Sequence, residues 1–590
     1  MVGRFLITTA DESTWEFDRP VIFLGEWCRI YDRKHVWQEM DAIVAAPYGL
    51  ELANKNSDYF DARALEDKLF PLLCDVLNQY HAVAYGERFW RIVLGHWFRR
   101  YVDVMLNRIK TLELCLLSHQ ITGTAVYANN HDALATPDSY SAIWAFVDDR
   151  WNNALNSRIL DLLGAEICPI EIIEDYASTA SFYKAITTTP TLKRSLLKWG
   201  YQSVCKLGSY IARKKEDAFI INTYLPQSEE LKLRLALGQN PLPPISPKLE
   251  ISEKNNQELR KSLANQMASR SGDNLKDIMS VMLFELLPIC YLEGFSSLNK
   301  LVKEQPWPKS PKYIFTSNSF DTDEVFKFWT ATKVESGSKY YIGQHGNNYC
   351  TYRYMHPTID EVIADKFLTW GWTDGMLQHT PAFVFKIAGK KVKQYNPQGG
   401  MLLIELPVLG HISTWDSYFE FANYFKDQQV FVSKLLITPK QQLTIRLHAI
   451  YKYLSWKEDV RWQAFDSNLK IDTGSIPISN LIAQSRLMVH SYDSTGILET
   501  LSQNIPTLAF WQNGFDHLRE SAQPYYQLLV DAGIVHFTPE SVAHKVNEVW
   551  DDVDGWWSQS KVQEARKIFC ARYARVSQNP VRELKQILLS

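Results

Sequence analysis

Two short segments, far apart in the chain, each join an apolar strand to a polar turn at which a helix can begin. They are YYIGQHGN at 340–347 and LMVHSYDSTGILE at 487–499. The first N–H groups of a helix lack internal partners and lie at the positive end of the helix dipole, so such a turn can bind a phosphate or carboxylate. Two such turns in separate α/β regions predict a cleft with a nucleotide-linked donor on one side and an acceptor on the other.

Apolar strands alternate with helical segments over most of the chain, which favours parallel sheets whose ligands lie at the carboxyl ends of the strands. Strands are predicted at 20–27, 312–317, 340–343, 367–370, 401–405, 443–448, 486–489 and 507–510. Helices are predicted at 62–118, 180–215, 321–333, 416–428, 540–551 and 560–588, with another beginning at 495. The fold class is therefore α/β.

A chain of 590 residues should hold more than one domain, since single cores rarely exceed about 250–300 residues. We predict an acceptor-side α/β domain with helical insertions at 1–390, in which the proline-broken, polar segment 225–275 is a variable surface insertion. A linker at 386–400 would lead to a nucleotide-binding, Rossmann-like domain at 398–560. A C-terminal helix at 561–590 is expected to pack back on the first domain.

Composition and charge exclude several classes of protein. The net charge of −3 gives no electrostatic reason to bind nucleic acid. The eight cysteines are scattered without C-x-x-C pairs, as in a reducing compartment. No apolar run reaches the 18 or so residues of a membrane span, and the first residues lack a signal-peptide core. We expect a cytoplasmic protein, and peripheral association with the inner membrane stays open.

The turn after the strand at 340–343 contains Gln344, His345 and Gly346. Gly346 lets the backbone turn and lets a ligand approach closely. The unperturbed pKa of histidine lies near physiological pH, so His345 could take the proton from an acceptor hydroxyl. The alternative is a structural histidine hydrogen-bonded at a turn. Gln344 and Gly346 are expected to line the acceptor side of the cleft.

Three further residues of the acceptor half follow strands. Glu26 stands at the end of the strand at 20–27 and could act as a base or nucleophile, or merely cap a helix, with Arg29 as its ion-pair partner. Asn318 ends the strand at 312–317 and is expected to line the cleft.

The segment after the strand at 486–489 is the stronger signal. Ser491, Ser494 and Thr495 offer hydroxyls and N–H groups to a phosphate, and Asp493 can cap the helix. Glu499 follows Thr495 by about one helical turn, so its carboxylate could bind the ribose hydroxyls. A capped helix without a ligand is the alternative.

Arg446 and His448 end a strand of the same half and share one face, so both could reach one phosphate or sugar carboxylate. A solvated pair is the alternative. The chain lacks G-x-x-x-x-G-K-[ST], a convincing G-x-G-x-x-G after a strand, and a D-x-D near a strand end. We therefore expect no metal and no cofactor, with helix N-termini, Arg and His meeting the charge of a leaving phosphate.

Four segments together resemble the transferase family encoded in bacterial O-antigen and capsule loci: FLGEWCRIY (23–31), YIGQHG (341–346), DKFLTWGW (365–372) and HSYDSTG (490–496). The chain is also distantly similar to capsule transferases that use CMP-linked Kdo or pseudaminic acid. Its His-Gly pair is similar to that of the glycerophosphotransferases of teichoic-acid synthesis, where the histidine acts as base. His356-Pro357 resembles a His-Pro pair that some sialic-acid transferases place against the donor phosphate.

The resemblance implies a GT-B-like architecture, two Rossmann-like domains facing across a cleft with the donor on the C-terminal one. It implies a metal-independent glycosyltransferase that moves a CMP-activated acidic sugar to a surface-polysaccharide acceptor, either a glycan or a lipid-linked glycan. Two alternatives stay open. One is a CDP-polyol (glycerol or ribitol) phosphotransferase on the same fold, and the other is a non-catalytic partner that binds a sugar nucleotide.

Overall fold

The computed structural model describes residues 2–46, 48–49, 52–127, 134–164, 169–172, 217–239, 244–268, 274–390, 395–408, 421–454 and 456–590. The helix predicted at 180–215 lies outside these residues, and so do the first residues of the helix predicted at 416–428 and part of the predicted linker.

The N-terminal lobe is built on a parallel five-stranded sheet in the order β3-β2-β1-β4-β5. Its strands are β1 Arg4–Ile7, β2 Val21–Phe23, β3 Ala42–Val44, β4 Ile121–Tyr127 and β5 Pro169–Ile172. Its helices are α1 Lys34–Trp37, α2 Leu52–His81, α3 Glu87–Ser118, α4 Ser139–Ala145 and α5 Asp149–Leu162. Helices cover both faces of such a sheet, so β2 is apolar at each position and fully buried.

The middle lobe contains a second parallel sheet, in the order β10-β9-β8-β7-β6. Its strands are β6 Ala218–Ile220, β7 Tyr313–Thr316, β8 Lys339–Gly343, β9 Lys366–Thr369 and β10 His379–Pro381. Its helices are α6 Gln227–Ala236, α7 Gln257–Ala268, α8 Asn274–Leu286, α9 Phe295–Lys303, α10 Ser319–Thr322, α11 Glu324–Glu335 and α12 Ile359–Ile363. The long helix α3 packs against α11 and α12 and so joins this lobe to the first.

The C-terminal lobe contains a six-stranded parallel sheet in the order β13-β12-β11-β14-β15-β16. Its strands are β11 Gly400–Ile404, β12 Leu443–Arg446, β13 Lys470–Asp472, β14 Ser485–His490, β15 Thr507–Phe510 and β16 Val535–His536. The strand order reverses between β11 and β14, and ligands of open α/β sheets bind at the carboxyl ends of the strands beside such a switch point.

Ten helices are described from the C-terminal lobe to the end of the chain. They are α13 Phe421–Lys434, α14 Ile437–Gln441, α15 Glu458–Phe465, α16 Ile478–Gln484, α17 Thr495–Ser502, α18 Gln523–Asp531, α19 Pro539–Val549, α20 Val553–Trp557, α21 Ser560–Tyr573 and α22 Pro580–Leu589. Leu584 and Leu588 of α22 are buried in one cluster with Leu233 of α6 and Tyr341 of β8. The last helix therefore packs on the middle lobe.

The segment predicted as a surface insertion, 225–275, contributes to the core. Leu233 of α6 and Met267 of α7 are fully buried. Arg260 forms an ion pair with Glu293 (2.6 Å) and donates to the carbonyl oxygen of Leu287 at 2.8 Å. The described part of this segment therefore combines core-facing helices with an irregular, intermediate to exposed stretch at 244–256. Its variability stays a prediction.

The predicted α/β class, with Rossmann-like lobes of GT-B-like type, is confirmed by these parallel sheets. The predicted acceptor-side region 1–390 contains two of the three sheets, and the domain boundaries themselves stay predictions. The six cysteines that the structure describes are buried and free. Among the described helices, none combines the length and the apolar character that crossing a membrane requires.

Candidate functional site

The side chain of Gln344 supports the turn after β8 through hydrogen bonds. Its side-chain nitrogen donates to the carbonyl oxygen of Gly346 at 2.8 Å. Its side-chain oxygen accepts from the backbone N–H of Trp370 (2.9 Å) and the indole N–H of Trp372 (2.8 Å). The residue is 2% exposed, so Gln344 shapes the turn instead of lining a cleft as predicted.

His345 follows Gln344 in this turn and is partly exposed. Its Nδ1 is 2.8 Å from the hydroxyl of Tyr349, whose hydroxyl is 2.7 Å from a carboxylate oxygen of Asp360. Burial lowers the pKa of His345, although the nearby charges of Asp360 and Asp321 act to raise it. The imidazole is therefore neutral near pH 7 and can accept a proton.

Asn347 connects the His345 turn to the C-terminal lobe. Its backbone N–H donates to the hydroxyl of Thr495 at 2.9 Å, and its side-chain amide donates to Asp493 at 2.8 Å. A Cβ on Gly346 would lie 3.3 Å from the same Thr495 hydroxyl. The two segments that the sequence singled out therefore meet, as their positions at strand ends predicted.

Asp493 is buried and its carboxylate is saturated by side chains. Besides Asn347, it accepts from the hydroxyl of Tyr526 at 2.9 Å and lies 3.2 Å from Nε2 of His517. The prediction that Asp493 caps the helix is wrong, because the N-cap of α17 is Ser494. Asp493 is an internal anchor rather than a surface that faces a ligand. Sequence reasoning missed its partners because all three are distant in the chain.

The N-terminus of α17 carries the other predicted donor residues. The Ser494 hydroxyl accepts from the N–H of Ile497 at 3.3 Å. Ser491 donates to the carbonyl oxygen of Ile404, at the end of β11, at 3.0 Å. Both serines are buried, whereas Thr495 and Gly496 are partly exposed. The N–H groups of Thr495 and Gly496 belong to the first helical turn, where the helix supplies no acceptor. These two residues are therefore the ones placed to meet an anion.

Gly496 is required by a buried neighbour. A Cβ at this position would lie 2.7 Å from Cε1 of His490. Burial lowers the pKa of His490 to about 3, so its ring is neutral and packs inside the lobe. The glycine brings the first turn of α17 close to the end of β14.

Glu499 lies one turn further along α17 and forms an ion pair with Lys386 (2.8 Å). Glu499 is partly exposed and Lys386 is exposed. The carboxylate thus lies on the accessible side of the helix, as a ribose ligand would require. The lysine adds a positive charge beside the first turn of α17.

Arg446 and His448 each contact a different neighbour. Arg446, the last residue of β12, forms an ion pair with Asp472, its register partner on β13. His448 is exposed and caps a short 3-10 turn, with Nδ1 accepting from the N–H of Ile450 at 3.3 Å. Partial desolvation of its ring and the neighbouring Arg446 lower the pKa of His448. The two residues therefore have separate partners, and a ligand that both contact stays a prediction.

Glu26 and Arg29 pair with each other on a 3-10 turn after β2, with Nε of Arg29 3.1 Å from the carboxylate. Both are partly exposed. Within the described part of the chain, no hydrogen bond or ion pair joins them to the His345 turn. The next residues contact the C-terminal lobe instead, where Asp32 lies 3.3 Å from Lys457.

Asn318 is exposed at the end of β7. It precedes α10, and its side chain makes no capping hydrogen bond to that helix. Its backbone N–H donates to the Thr316 hydroxyl at 3.3 Å. The residue is therefore accessible, and its place in the cleft stays a prediction.

His356 does not face the donor region, contrary to the His-Pro resemblance. Its ring is enclosed by Glu361 (3.0 Å) and Asp374 (2.9 Å), and Asp374 also pairs with His379 (2.7 Å). The four side chains form one connected network, in which Glu361 and His379 are buried, His356 is partly buried and Asp374 lies at the surface. In the part of the chain that the structure describes, no group of three or more His, Cys, Asp or Glu side chains is arranged to hold a metal ion.

Several solved structures share parts of this fold. The spinosyn rhamnosyltransferase SpnG is 12% identical, with 56% of this chain and 81% of SpnG aligned and a TM-score of 0.28. The wall teichoic acid polymerase TagF is 9% identical over 70% of this chain and 98% of TagF, with a TM-score of 0.29. A protein described as a UDP-N-acetylglucosamine 2-epimerase from Listeria monocytogenes is 10% identical over 62% of this chain and all of the other, with a TM-score of 0.32. Likenesses at this level carry no argument about function.

No curated protein matches the chain. The sequence profile of one family, described as the LIC12162 family transferase, matches residues 4–588. This match spans all three sheets and both segments of the candidate site. The chain therefore belongs to the LIC12162 family of transferases.

Proposed function

We propose that the protein is a metal-independent glycosyltransferase that moves a sugar from a nucleotide donor, a CMP-activated acidic sugar, to a hydroxyl of a surface-polysaccharide acceptor at the cytoplasmic side of the inner membrane. The observation that carries the proposal is the contact between the His345 turn and the first turn of α17. Through Asn347 and Thr495, a neutral histidine and the N-terminus of a helix are brought to one place.

The donor phosphate is assigned to the first turn of α17. The N–H groups of Thr495 and Gly496 and the positive end of the helix dipole favour an anion there. The hydroxyl of Thr495 accepts from Asn347 and keeps its own proton to donate. The carboxylate of Glu499, one turn further, is assigned to the ribose. Lys386, 2.8 Å from that carboxylate, adds positive charge.

The remaining predicted residues are assigned by their surroundings. Ser491, Asp493 and Ser494 are buried and support the turn. His448 is exposed at the carboxyl end of β12, so it keeps its proposed place toward the donor. Arg446 is proposed to act through its pair with Asp472.

The proposed reaction uses the neutral imidazole of His345 as base. The acceptor O–H bond breaks as its proton passes to the imidazole, and the acceptor oxygen forms a bond to the anomeric carbon. The bond between that carbon and the phosphate oxygen breaks, and its electron pair stays on CMP. Preformed N–H dipoles at α17 would stabilise the charge that develops there. Glu26, with Arg29, is assigned to the acceptor or, in a retaining route, to the nucleophile.

A thermal-shift panel with CMP, CDP, UDP and GDP tests the donor assignment, because a ligand that binds only the folded state raises the melting temperature. Stabilisation by CMP supports the proposal. Stabilisation by CDP without CMP would favour the transfer of a polyol phosphate, and stabilisation by UDP or GDP alone would overturn both functions.

A comparison of CMP with 2′-deoxy-CMP tests the ribose contact. If Glu499 binds the ribose hydroxyls, 2′-deoxy-CMP should raise the melting temperature of the wild type less than CMP does. In Glu499→Gln, the two nucleotides should give nearly the same thermal shift. Glu520→Gln, an exposed carboxylate on the same lobe, serves as the matched control. Equal responses of Glu499→Gln and the control would remove Glu499 from the donor site.

A further inference from the structure

The hydroxyl of Tyr349 lies between two groups that both call for a hydrogen bond. It is 2.8 Å from Nδ1 of His345 and 2.7 Å from a carboxylate oxygen of Asp360. Tyr349 is 5% exposed and Asp360 is 2% exposed. The three side chains thus form a hydrogen-bonded chain that leads from the buried Asp360 to the partly exposed imidazole of His345.

The positions of the two inner groups are fixed by the fold. Asp360 lies in the first turn of α12, whose N-terminus is set by a capping box between Thr358 and Glu361. The Tyr349 ring packs against Phe367 of β9, with centroids 5.1 Å apart. A strand therefore supports the ring of Tyr349, and a capped helix supports the carboxylate of Asp360.

The hydroxyl of Tyr349 has a single proton and can donate it to only one of its two neighbours. The neighbour that receives this hydrogen bond therefore decides which tautomer His345 adopts. An ionised carboxylate can only accept, and the hydroxyl therefore donates to Asp360 in a charge-assisted hydrogen bond. Burial and the neighbouring Asp360 raise the pKa of Tyr349 well above its usual value, so the proton stays on the phenol. The remaining contact requires Nδ1 of His345 to donate. If the hydroxyl donated to Nδ1 of His345 instead, the carboxylate of Asp360 would face a lone pair of the Tyr349 oxygen.

The other ring nitrogen is then the acceptor. Among the residues that the structure describes, none forms a hydrogen bond to Nε2 of His345. The ring is tilted against Phe320, with centroids 5.5 Å apart. The charged groups that act on the imidazole are Asp360, Asp321 and Arg100. Asp321 is itself paired with Arg100 at 2.6 Å, whereas Asp360 reaches the ring through the hydroxyl of Tyr349.

We infer that Tyr349 and Asp360 are positioning residues that hold His345 in the Nδ1–H tautomer, with Nε2 turned to the acceptor hydroxyl as the proton-accepting atom. This inference rests on the proposed function. When Nε2 takes the acceptor proton, the imidazolium keeps its Nδ1–H bond to Tyr349, and the Tyr349 hydroxyl still donates to Asp360. No proton passes along this hydrogen-bonded chain, and the proton on Nε2 is later released to water.

The test is the tautomer of His345 in the full-length protein without any ligand. Imidazole ¹⁵N shifts separate a protonated nitrogen from a bare one, and the loss of signals in His345→Gln assigns the residue. At a pH where the ring is neutral, we expect a protonated Nδ1 and a bare Nε2. A protonated Nε2 with a bare Nδ1 in the wild type would overturn the inference.

Tyr349→Phe supplies the second arm, with Tyr340→Phe as the matched control. Tyr340 is a buried tyrosine on β8 whose hydroxyl has no hydrogen-bond partner among the residues described, so its removal should leave the His345 signals unchanged. In Tyr349→Phe, we expect the Nε2–H form to appear and the CMP-induced thermal shift to stay as in the wild type. Retention of the pure Nδ1–H form in Tyr349→Phe would overturn the inference.

These readouts separate the inference from the function on which it rests. If the tautomer is as expected but His345→Ala retains full transfer activity, the proposed function loses its base while the positioning network stands. If transfer requires His345 but the tautomer is reversed, the function stands and the assignment to Tyr349 and Asp360 fails.

Discussion

Asn347 and Asp493, 146 residues apart in the chain, are joined by a buried side-chain hydrogen bond of 2.8 Å. The bond connects the turn after β8 in the middle lobe to the turn after β14 in the C-terminal lobe. Because a buried carboxylate must have its hydrogen bonds satisfied, the bond constrains both turns at once. The two halves of the candidate site are therefore one structural unit.

Replacement of Asn347 by alanine should destabilise the protein by about 1–3 kcal/mol, since it leaves one oxygen of a buried carboxylate without its donor. The loss is measurable as a shift in urea denaturation. Asn318→Ala, an exposed asparagine in the same lobe, should change the free energy of unfolding by less than about 0.5 kcal/mol. Equal stability of the two variants would mean that the Asn347 bond does not hold the lobes together.

The strands that lead to this site could be predicted from the sequence, but the side-chain contacts within the site could not. Apolar runs bounded by turn residues predicted β2, β7, β8, β9, β11, β12, β14 and β15, and the structure contains each of them. Strands such as β10, with the sequence HTP, carry no such pattern. A parallel sheet places strand ends together, and this rule brought the His345 and Thr495 turns to one region.

The anchoring of Asp493 by Asn347, His517 and Tyr526 could not be predicted in the same way. The contact with Asn347 depends on how two lobes pack, and those with His517 and Tyr526 depend on how distant parts of the C-terminal lobe pack. No local periodicity records such packing. Local reasoning assigned Asp493 to the helix cap because Asp and Ser are both good N-caps. The backbone resolved the choice in favour of Ser494, which freed Asp493 to point inward.

Thr495→Val should weaken CMP binding several-fold, because valine keeps the shape of threonine and lacks the hydroxyl that meets both Asn347 and the proposed phosphate. Thr495→Ser, which keeps the hydroxyl, should bind CMP within about twofold of the wild type. Isothermal titration with CMP measures both. Unchanged affinity in the valine variant would place the phosphate away from the first turn of α17.

The pKa of His345 should lie below the usual 6.5 of histidine, since burial lowers it. A base must be unprotonated, so activity that depends on His345 should fall as the pH drops through that pKa and stay level above it. Asp360 acts to raise this pKa, and Asp360→Asn should therefore move the transition to lower pH. The ¹⁵N titration of the His345 ring follows both transitions. An upward shift in Asp360→Asn would contradict the assigned contact.

His356→Ala should cost about 3 kcal/mol of stability and leave CMP binding unchanged. The substitution removes a partner from Glu361, which is fully buried, and from Asp374. The measurements are urea denaturation and the CMP-induced thermal shift on the folded variant. A folded His356→Ala protein that no longer responds to CMP would return this histidine to the donor site, as the His-Pro resemblance implied.

Glu405 follows β11 at the switch point, and its side chain accepts from the indole N–H of Trp462 at 3.1 Å. Burial raises the pKa of Glu405 to about 8, and Glu458, whose own pKa burial raises to about 7, adds to the effect. The unfolded chain releases this proton near pH 4.5, whereas the folded protein keeps it until about pH 8. Folding therefore binds a proton in this interval, and the contribution of Glu405 to stability is lost as the pH rises.

Glu405→Gln should remove that loss, because glutamine keeps an oxygen for Trp462 and carries no titrating group. Between pH 5 and pH 8, we expect the wild type to lose on the order of 3 kcal/mol more stability than the variant. Urea denaturation at the two pH values measures the difference, and Glu520→Gln, at an exposed position, should follow the wild type. If Glu405→Gln and the wild type lose stability in parallel, the carboxyl group is already ionised inside the lobe and must be stabilised by a partner beyond Trp462.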